Sequence, residues 1–427
     1  MGARTASYKP LSKLTKYDYR SEAESSSIVA SEDNKSRLFK EQKLEECSSH
    51  QAERYTILDF EGEQAFHRLR DDWEELWWQS ADATESQTWH WQYLYWKHLA
   101  PKTHPVIIIA RDSHGTCVAL ATFFICRDQS SWISKAAFLG DKKPDYHLIL
   151  ARPNLATTVG LKILEHFALK FAKRVPYLEL SNIPKNSYTG SLLGQFLANE
   201  TTPRSTTLRW ETQTYAVPLP KTLDEYLKQL GPRSRRDFRY DRRRLCNELS
   251  VDFRVYSTLE NLDEALDAIE TVDRARWGSN SHYCISSQRS FERSLAQALC
   301  EMGIYRAFVL YLNGKPSAFA TGAIVRNVLK VASIGYDRSL PRNLSIGKVA
   351  NFYAIEHCIE NGVKEYDLTR GGEDYKKWLG ANPCTNLQLR HYRTRFDKLV
   401  DSGGRKIVSF LRDQIWLRGI YHTWLRR

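Results

Sequence analysis

Paired cysteines are missing from this chain. Its eight thiols, Cys47, Cys117, Cys126, Cys246, Cys284, Cys300, Cys358 and Cys384, stand singly, with no C-x-x-C and no regular spacing. That pattern excludes a zinc module and a disulfide framework and fits a reduced, cytoplasmic protein. No run of about 18 apolar residues occurs, and no apolar stretch follows the N-terminal charges, so neither a membrane span nor a secretion signal is expected. Met1-Gly2 is followed by Ala6 where a myristoylation signal carries Ser or Thr, so lipidation is not expected there. The chain also lacks a Gly-x-x-x-x-Gly-Lys-Ser/Thr phosphate loop, a Gly-x-Ser-x-Gly elbow and a His-Glu-x-x-His pair. Its histidines, His90, His98, His282 and His357 among them, have no ligand spacing, so no metal is expected. Cys384 has no histidine placed in sequence to activate it and reads as a structural thiol.

What is present is ample core material: 427 residues, 42% hydrophobic and 12% aromatic. That length predicts two domains and a tail. The net charge of +12 favours anionic partners, whether a nucleotide cofactor, a nucleic acid, an acidic polymer or a membrane surface. Residues 1–54 are rich in Ser, Glu and Lys with almost no apolar periodicity, the composition of a disordered tail. From Tyr55 onward the pattern alternates helices, a meander of apolar strands with an Asn313-Gly314 hairpin turn, then strand, helix and strand. This order occurs twice, so a mixed α/β fold of two similar domains is expected, over 55–216 and 217–400. Val217-Pro218-Leu219-Pro220 suits a linker or an edge strand between them. Residues 401–427 form a basic segment bearing Ile407, Phe410, Trp416 and Trp424 among arginines. It reads either as a helix lying in a membrane interface or as one packed on the second domain.

The densest chemistry lies between Gly335 and Lys376. A turn with Arg342-x-x-Ser345-x-Gly347 opens an apolar helix, where small residues let backbone N–H groups approach an anionic ligand and the helix dipole adds positive potential. Arg342 and Lys348 flank the turn and are placed to neutralise a pyrophosphate. The alternative is an ordinary helix start after Pro341 and Asn343. Farther upstream, Arg235, Arg239, Arg242 and Arg243 share one helical face, which either grips an anionic acceptor or is simply solvated.

Taken together, Gly231-Pro232-Arg233-Ser234-Arg235-Arg236-Asp237-Phe238, Arg276-Trp277, Leu312-Asn313-Gly314-Lys315-Pro316, Gly335-Tyr336-Asp337 and Asp367-x-x-Arg370-Gly371-x-Glu373-x-Tyr375-Lys376 resemble the CelD-like branch of the GNAT acetyltransferases, which is associated with cellulose and exopolysaccharide biosynthesis. The chain is also similar in architecture to the Fem-like peptidoglycan aminoacyl transferases. The resemblance covers residues 56–395. It implies two tandem GNAT-like domains, each a mixed, mainly antiparallel sheet flanked by helices, with acetyl-CoA or another acyl-CoA as co-substrate. The thioester would lie against the strand end at Ser333 and Ile334, with the turn of Arg342, Ser345, Gly347 and Lys348 holding the phosphates. Ser345 departs from the family's usual glycine. Tyr375 would be the acid, Glu373 or Asp367 the base, and Arg370, Lys376, Arg235 and Arg239 the acceptor contacts. Each charged group among these also reads as a salt bridge closing its own loop.

The resemblance therefore implies acyl transfer to an amine or hydroxyl of a glycan precursor or related metabolite by direct attack. Two alternatives are a Fem-like aminoacyl transferase using aminoacyl-tRNA, and a non-catalytic scaffold of a polysaccharide-synthesis complex held at an anionic membrane surface. Arg152-Pro153-Asn154-Leu155, the matching place in the first half, lacks the glycine spacing, so that half is expected to have lost the cofactor.

Overall fold

Among the described residues, apolar runs and alternation build thirteen strands, and all of them lie in one sheet. The computed structural model describes residues 55–128, 130–131, 133–198 and 206–413. The tail expected over 1–54, and residues 414–427 of the basic C-terminal segment, lie outside the described residues. The first half of the sequence contributes β1 (Thr56–Glu61), β2 (Val106–Arg111), β3 (Cys117–Arg127), β4 (Ser134–Phe138), β5 (Leu150–Ala151), β6 (Tyr177–Pro184) and β7 (Thr206–Pro218). The second contributes β8 (Val251–Tyr256), β9 (Tyr305–Leu312), β10 (Lys315–Val325), β11 (Val328–Tyr336), β12 (Glu365–Arg370) and β13 (Asn382–Tyr392). The spatial order is β1-β2-β3-β4-β6-β13-β7-β12-β11-β10-β9-β8, with β5 beside β3. Among the described pairings, β4–β6 and β11–β12 are parallel and the others antiparallel.

This order reads the same from either edge once the halves are matched strand for strand. The repeat is thus a mixed, mainly antiparallel α/β unit used twice, and the last strand of each half has crossed over. β13 pairs with β6 of the first half, β7 pairs with β12 of the second, and the two crossed strands pair with each other from Asn382↔Ala216 to His391↔Thr206. Val217 and Pro218 consequently close a central strand, where Pro218 is the last residue and pairs with Glu365. Proline is tolerated there because the ladder ends with it.

Helices cover both faces. On one, the helices Arg70–Gln79 and Trp89–Leu99 share a single apolar cluster with Leu262–Trp277 and Ser286–Glu301, so Trp73 and Trp77 belong to the same core as Leu266 and Leu299. On the other, Ala156–Phe171 covers the first half and Ile346–Glu360 the second. The helical pattern that begins at Leu223 and runs through the arginine-rich face is broken into two helices, Leu223–Gln229 and Pro232–Glu248. Pro232 lacks an N–H and suits only a first turn, so the chain stops and restarts there.

Candidate active site

β11 and β12 run side by side for three residues, Val328↔Glu365, Leu329↔Tyr366 and Lys330↔Asp367, and then separate. Two local causes act together. β11 carries an extra residue opposite Thr321 and Gly322 of β10, and a bulge bends its strand. Gly322 is required at that bend, since a Cβ there would sit 2.2 Å from the Lys330 carbonyl oxygen. On the other side, Thr369 takes a left-handed φ of 57°, which turns β12 away. The gap leaves the edge of Ala332–Ile334 without a β12 partner.

The first turn of the helix Ile346–Glu360 closes the gap. The resulting cavity, about 590 Å³, is lined by Ser333, Ile334, Tyr336, Ser345, Gly347 and Lys348 on one wall and by Arg370, Glu373, Tyr375 and Lys376 on the other. A Cβ on Gly347 would stand 3.0 Å from Tyr336 Cδ1, so even a methyl group fits where the turn meets the strand only if the tyrosine ring gives way. Ser345 caps the helix with φ 50° and ψ 33°, the conformation that glycine adopts without strain. The first backbone N–H groups of a helix have no partner within it, so the turn offers an anion donors and dipole potential together. These residues suit the diphosphate of an acyl-coenzyme A. The Lys348 ammonium sits 4.5 Å from the Trp378 ring centroid, and the Arg342 side chain lies outside the described residues.

The other wall separates cleft residues from supports. Tyr375 is half-buried, and burial with the Glu373 charge holds its hydroxyl above the ordinary tyrosine range, against the opposing pull of Arg276. It is therefore a protonated donor at neutral pH. Glu373 is exposed and pairs with Lys376 at 3.2 Å. Lys376 is itself buried, donating to the Thr369 carbonyl at 3.2 Å and the Arg370 carbonyl at 2.5 Å. Its charge is thus spent on holding the loop. Arg370 donates to Asp145 of the first half at 2.6 Å and to the Lys142 carbonyl at 2.9 Å. Asp367 lies behind the cleft, 5% exposed. It accepts from the Thr369 N–H at 2.8 Å and from the Tyr146 hydroxyl, and burial lifts its pKa to about 6. The structure therefore does not bring Asp367 to the reacting space. Arg235 and Arg239 line a separate groove of about 380 Å³ on the helix Pro232–Glu248, together with Arg236, Tyr240 and Arg243.

Two cleft residues had no role assigned from sequence. The Arg276 guanidinium lies 4.9 Å from the Trp277 ring centroid and 5.0 Å from that of Tyr336, and it donates to the Ile334 carbonyl at 3.3 Å. Its Nε has no hydrogen-bond partner. The visible signal was Arg276-Trp277 at the end of a helix; its approach to β11 is a tertiary event. Asn351 donates to the Gly347 carbonyl at 2.8 Å and accepts from Tyr366 at 3.0 Å, bracing the first turn against β12.

The matching gap in the first half is filled by the chain itself. His147 donates its backbone N–H to Asn182 at the end of β6, at 2.9 Å, and stacks on Phe138 at the end of β4 with ring centroids 5.1 Å apart. Full burial lowers its pKa to about 3, so it is neutral. Gly160 in the covering helix serves packing, since a Cβ there would sit 2.4 Å from Leu192 Cδ1.

The second half thus combines a bent strand, a glycine-opened helix and a splayed parallel pair whose gap the chain leaves open. Residues 232–377 match the acetyltransferase (GNAT) domain model. That span contains every wall of the cleft. Among solved structures, the chain is similar to FemX, with 10% identity, 78% of this chain and 98% of that one covered, and a TM-score of 0.53. It is similar to a conserved protein of unknown function from Bacteroides thetaiotaomicron, with 13% identity, coverage of 79% and 100%, and a TM-score of 0.52. A third is the C-terminal domain of a putative lysylphosphatidylglycerol synthetase from Agrobacterium fabrum, with 10% identity, coverage of 79% and 96%, and a TM-score of 0.50. At these identities the likeness is one of fold. No curated protein matches in sequence. The GNAT-type domain is therefore carried by the second half, within a double fold shared with these structures.

Proposed function

We propose that the protein is an acyltransferase that moves an acyl group, acetyl in the first instance, from acyl-coenzyme A to an amine or hydroxyl of a glycan precursor or related metabolite. The observation that carries this reading is the separation of β11 from β12 beyond Lys330↔Asp367, with the first turn of the helix Ile346–Glu360 across the opening. A bound acyl-coenzyme A supplies a thioester, whose acyl group is already activated. The residues of this chain then have three tasks. The turn Ser345–Lys348 binds phosphate through backbone N–H groups and the Lys348 charge. The open edge at Ser333 and Ile334 is placed to donate to the thioester oxygen, and the loss of one such donor in acyl transfer costs about 2.7–4 kcal/mol. Tyr375 is placed to give a proton to the departing sulfur, and Glu373, the carboxylate in the cleft wall, to take one from the acceptor. The choice of a glycan precursor follows the CelD-like resemblance of the motifs.

Titration of acetyl-coenzyme A into the purified full chain by calorimetry, beside Gly347→Trp, tests this reading. Binding by the parent and none by a variant that still melts cooperatively is the expected result. No heat and no shift in Tm at saturating ligand would overturn it.

The groove of Arg235, Arg236, Arg239 and Arg243 favours a second reading, aminoacyl transfer from aminoacyl-tRNA. Arg239 and Arg243 make no ion pair among the described residues. That reading expects tRNA binding that weakens steeply with salt and is reduced in Arg239→Ala. A chain that binds neither coenzyme A nor tRNA would favour the scaffold alternative.

A further inference from the structure

The helix that follows β13, Arg395–Asp413, is held to the body by its polar residues. Asp397 accepts from the Thr394 hydroxyl at 2.7 Å, and Asp401 accepts from the Tyr392 hydroxyl at 2.9 Å and from Arg405 Nε at 2.8 Å. Arg405 continues to Asp128 of the first half at 2.5 Å. Gly404 approaches Ser131 so closely that a Cβ would lie 2.7 Å from its carbonyl oxygen. Val408 is the large apolar residue buried on this side.

Among the described residues of this helix, five other apolar side chains face the opposite way. Phe396 is 72% exposed, Leu399 69%, Val400 43%, Ile407 56% and Phe410 61%. Their spacing of three and four residues places them in one stripe along the helix. An amphipathic helix ordinarily turns such a stripe inward. Here the acids Asp397 and Asp401 point in and the stripe points out. The exposed cations Arg395 and Lys406 lie on the same outward half, flanking the stripe. The sequence beyond Asp413 continues with Trp416, Tyr421 and Trp424 among Arg418, Arg426 and Arg427, and contains no acid.

We infer that this stripe docks the protein on an anionic lipid surface, with the helix lying parallel to the bilayer and its apolar side chains at the boundary between headgroups and acyl chains. Charge decides the occupant. A second copy pairing through the same face would set Arg395 and Lys406 against their equivalents, with Asp397 and Asp401 already engaged inward. An anionic bilayer answers both features at once, taking up the apolar stripe and attracting the cations beside it. The cleft plays no part in this argument, so docking and acyl transfer stand or fall separately.

The test is flotation of the full-length protein with vesicles of phosphatidylcholine containing phosphatidylglycerol, and with vesicles of phosphatidylcholine alone. The variants are Leu399→Asn/Ile407→Asn and Arg395→Glu/Lys406→Glu. These side chains are exposed, so Tm and coenzyme A binding should match the parent and serve as folding controls. The expected result is partition onto the anionic vesicles, reduced roughly ten-fold or more without the anionic lipid and in either variant. Three outcomes would overturn the inference. One is equal partition of parent and apolar variant. Another is binding lost only when residues 414–427 are removed and untouched by the stripe variant. The third is a parent dimer that the stripe variant dissociates, with no flotation by either, which would make the face a self-association surface.

Discussion

Gly347 packs tightly on Tyr336: a Cβ would stand 3.0 Å from the tyrosine Cδ1. The contact brings the first turn of a helix against the open strand of the cleft. Tyr336 is 37% exposed, so its ring can shift by the few tenths of an ångström that an alanine demands. Gly347→Ala should therefore keep its stability to within about 1 kcal/mol. Its methyl group nevertheless stands where the backbone must approach a phosphate, and coenzyme A affinity should fall about ten-fold by calorimetry. Unchanged affinity would remove this turn from the binding site.

Tyr375→Phe removes the one hydroxyl in the cleft that the surroundings hold firmly protonated. Burial and the neighbouring Glu373 both favour the neutral phenol. A general acid is typically worth about 10²–10⁴-fold in rate. The turnover number should fall by about 10²-fold with little change in KM for acyl-coenzyme A, because the phenol lies on the wall opposite the phosphate turn. A rise in KM with turnover intact would assign Tyr375 to positioning instead.

Much of this site was legible because its parts are local. The hairpin at Asn313-Gly314, the turn before Ile346 and the loop from Asp367 to Lys376 each carry their geometry in a few adjacent residues. The crossing of β7 and β13 had no such signature. β13 meets β6 across some two hundred positions, and its residues, Asn-Pro-Cys-Thr-Asn-Leu-Gln-Leu-Arg-His-Tyr, are mixed because it lies between two strands over a buried ionic cluster. Side-chain commitments were hidden for the same reason. Arg370 and Lys376 read either as acceptor contacts or as salt bridges closing their own loop, and the partners they take, Asp145 of the first half and the Thr369 and Arg370 carbonyls, are set by the fold. Asp367 reads as a base until the fold places it behind the wall.

Asp367 should instead govern a pH dependence of stability. Burial raises its pKa from the ordinary 3.8 to about 6, although Tyr146, Thr369 and Lys330 oppose the rise. Between those values the folded protein holds a proton that the unfolded chain has released. Stability contributed by this group is therefore full below about pH 4 and is lost as pH rises to about 6. At about 1.36 kcal/mol per unit, the loss is on the order of 2–3 kcal/mol. Asn at this position can still accept from Tyr146 and Thr369. In Asp367→Asn, denaturant unfolding followed from pH 4 to 7 should show this decline removed. A variant that retains the parent's slope would place the titration elsewhere.

Glu179 shows the opposite sign and secures the crossed strand. It is fully buried between Lys135 of β4, whose Nζ lies at 2.6 Å, and Arg390 of β13. Burial works to raise its pKa, but Lys135 and Arg390 hold it below the ordinary value of 4.5. Its contribution is present above that value and is lost as pH falls through the lower folded one. Asp141, the second partner of Lys135 at 2.7 Å, is displaced upward by burial, so the two carboxylates pull an acid profile in opposite directions and the variant isolates Glu179. Glu179→Gln leaves the Arg390 guanidinium buried without its counter-charge, which should cost about 3–5 kcal/mol in denaturant unfolding at pH 7. As pH falls below the ordinary 4.5 the gap between variant and parent should narrow, because the parent's glutamate takes up its proton first in the unfolded chain and only at the lower folded value in the native one. If the two instead remain separated by the same amount down to the acid limit, the loss comes from packing rather than charge.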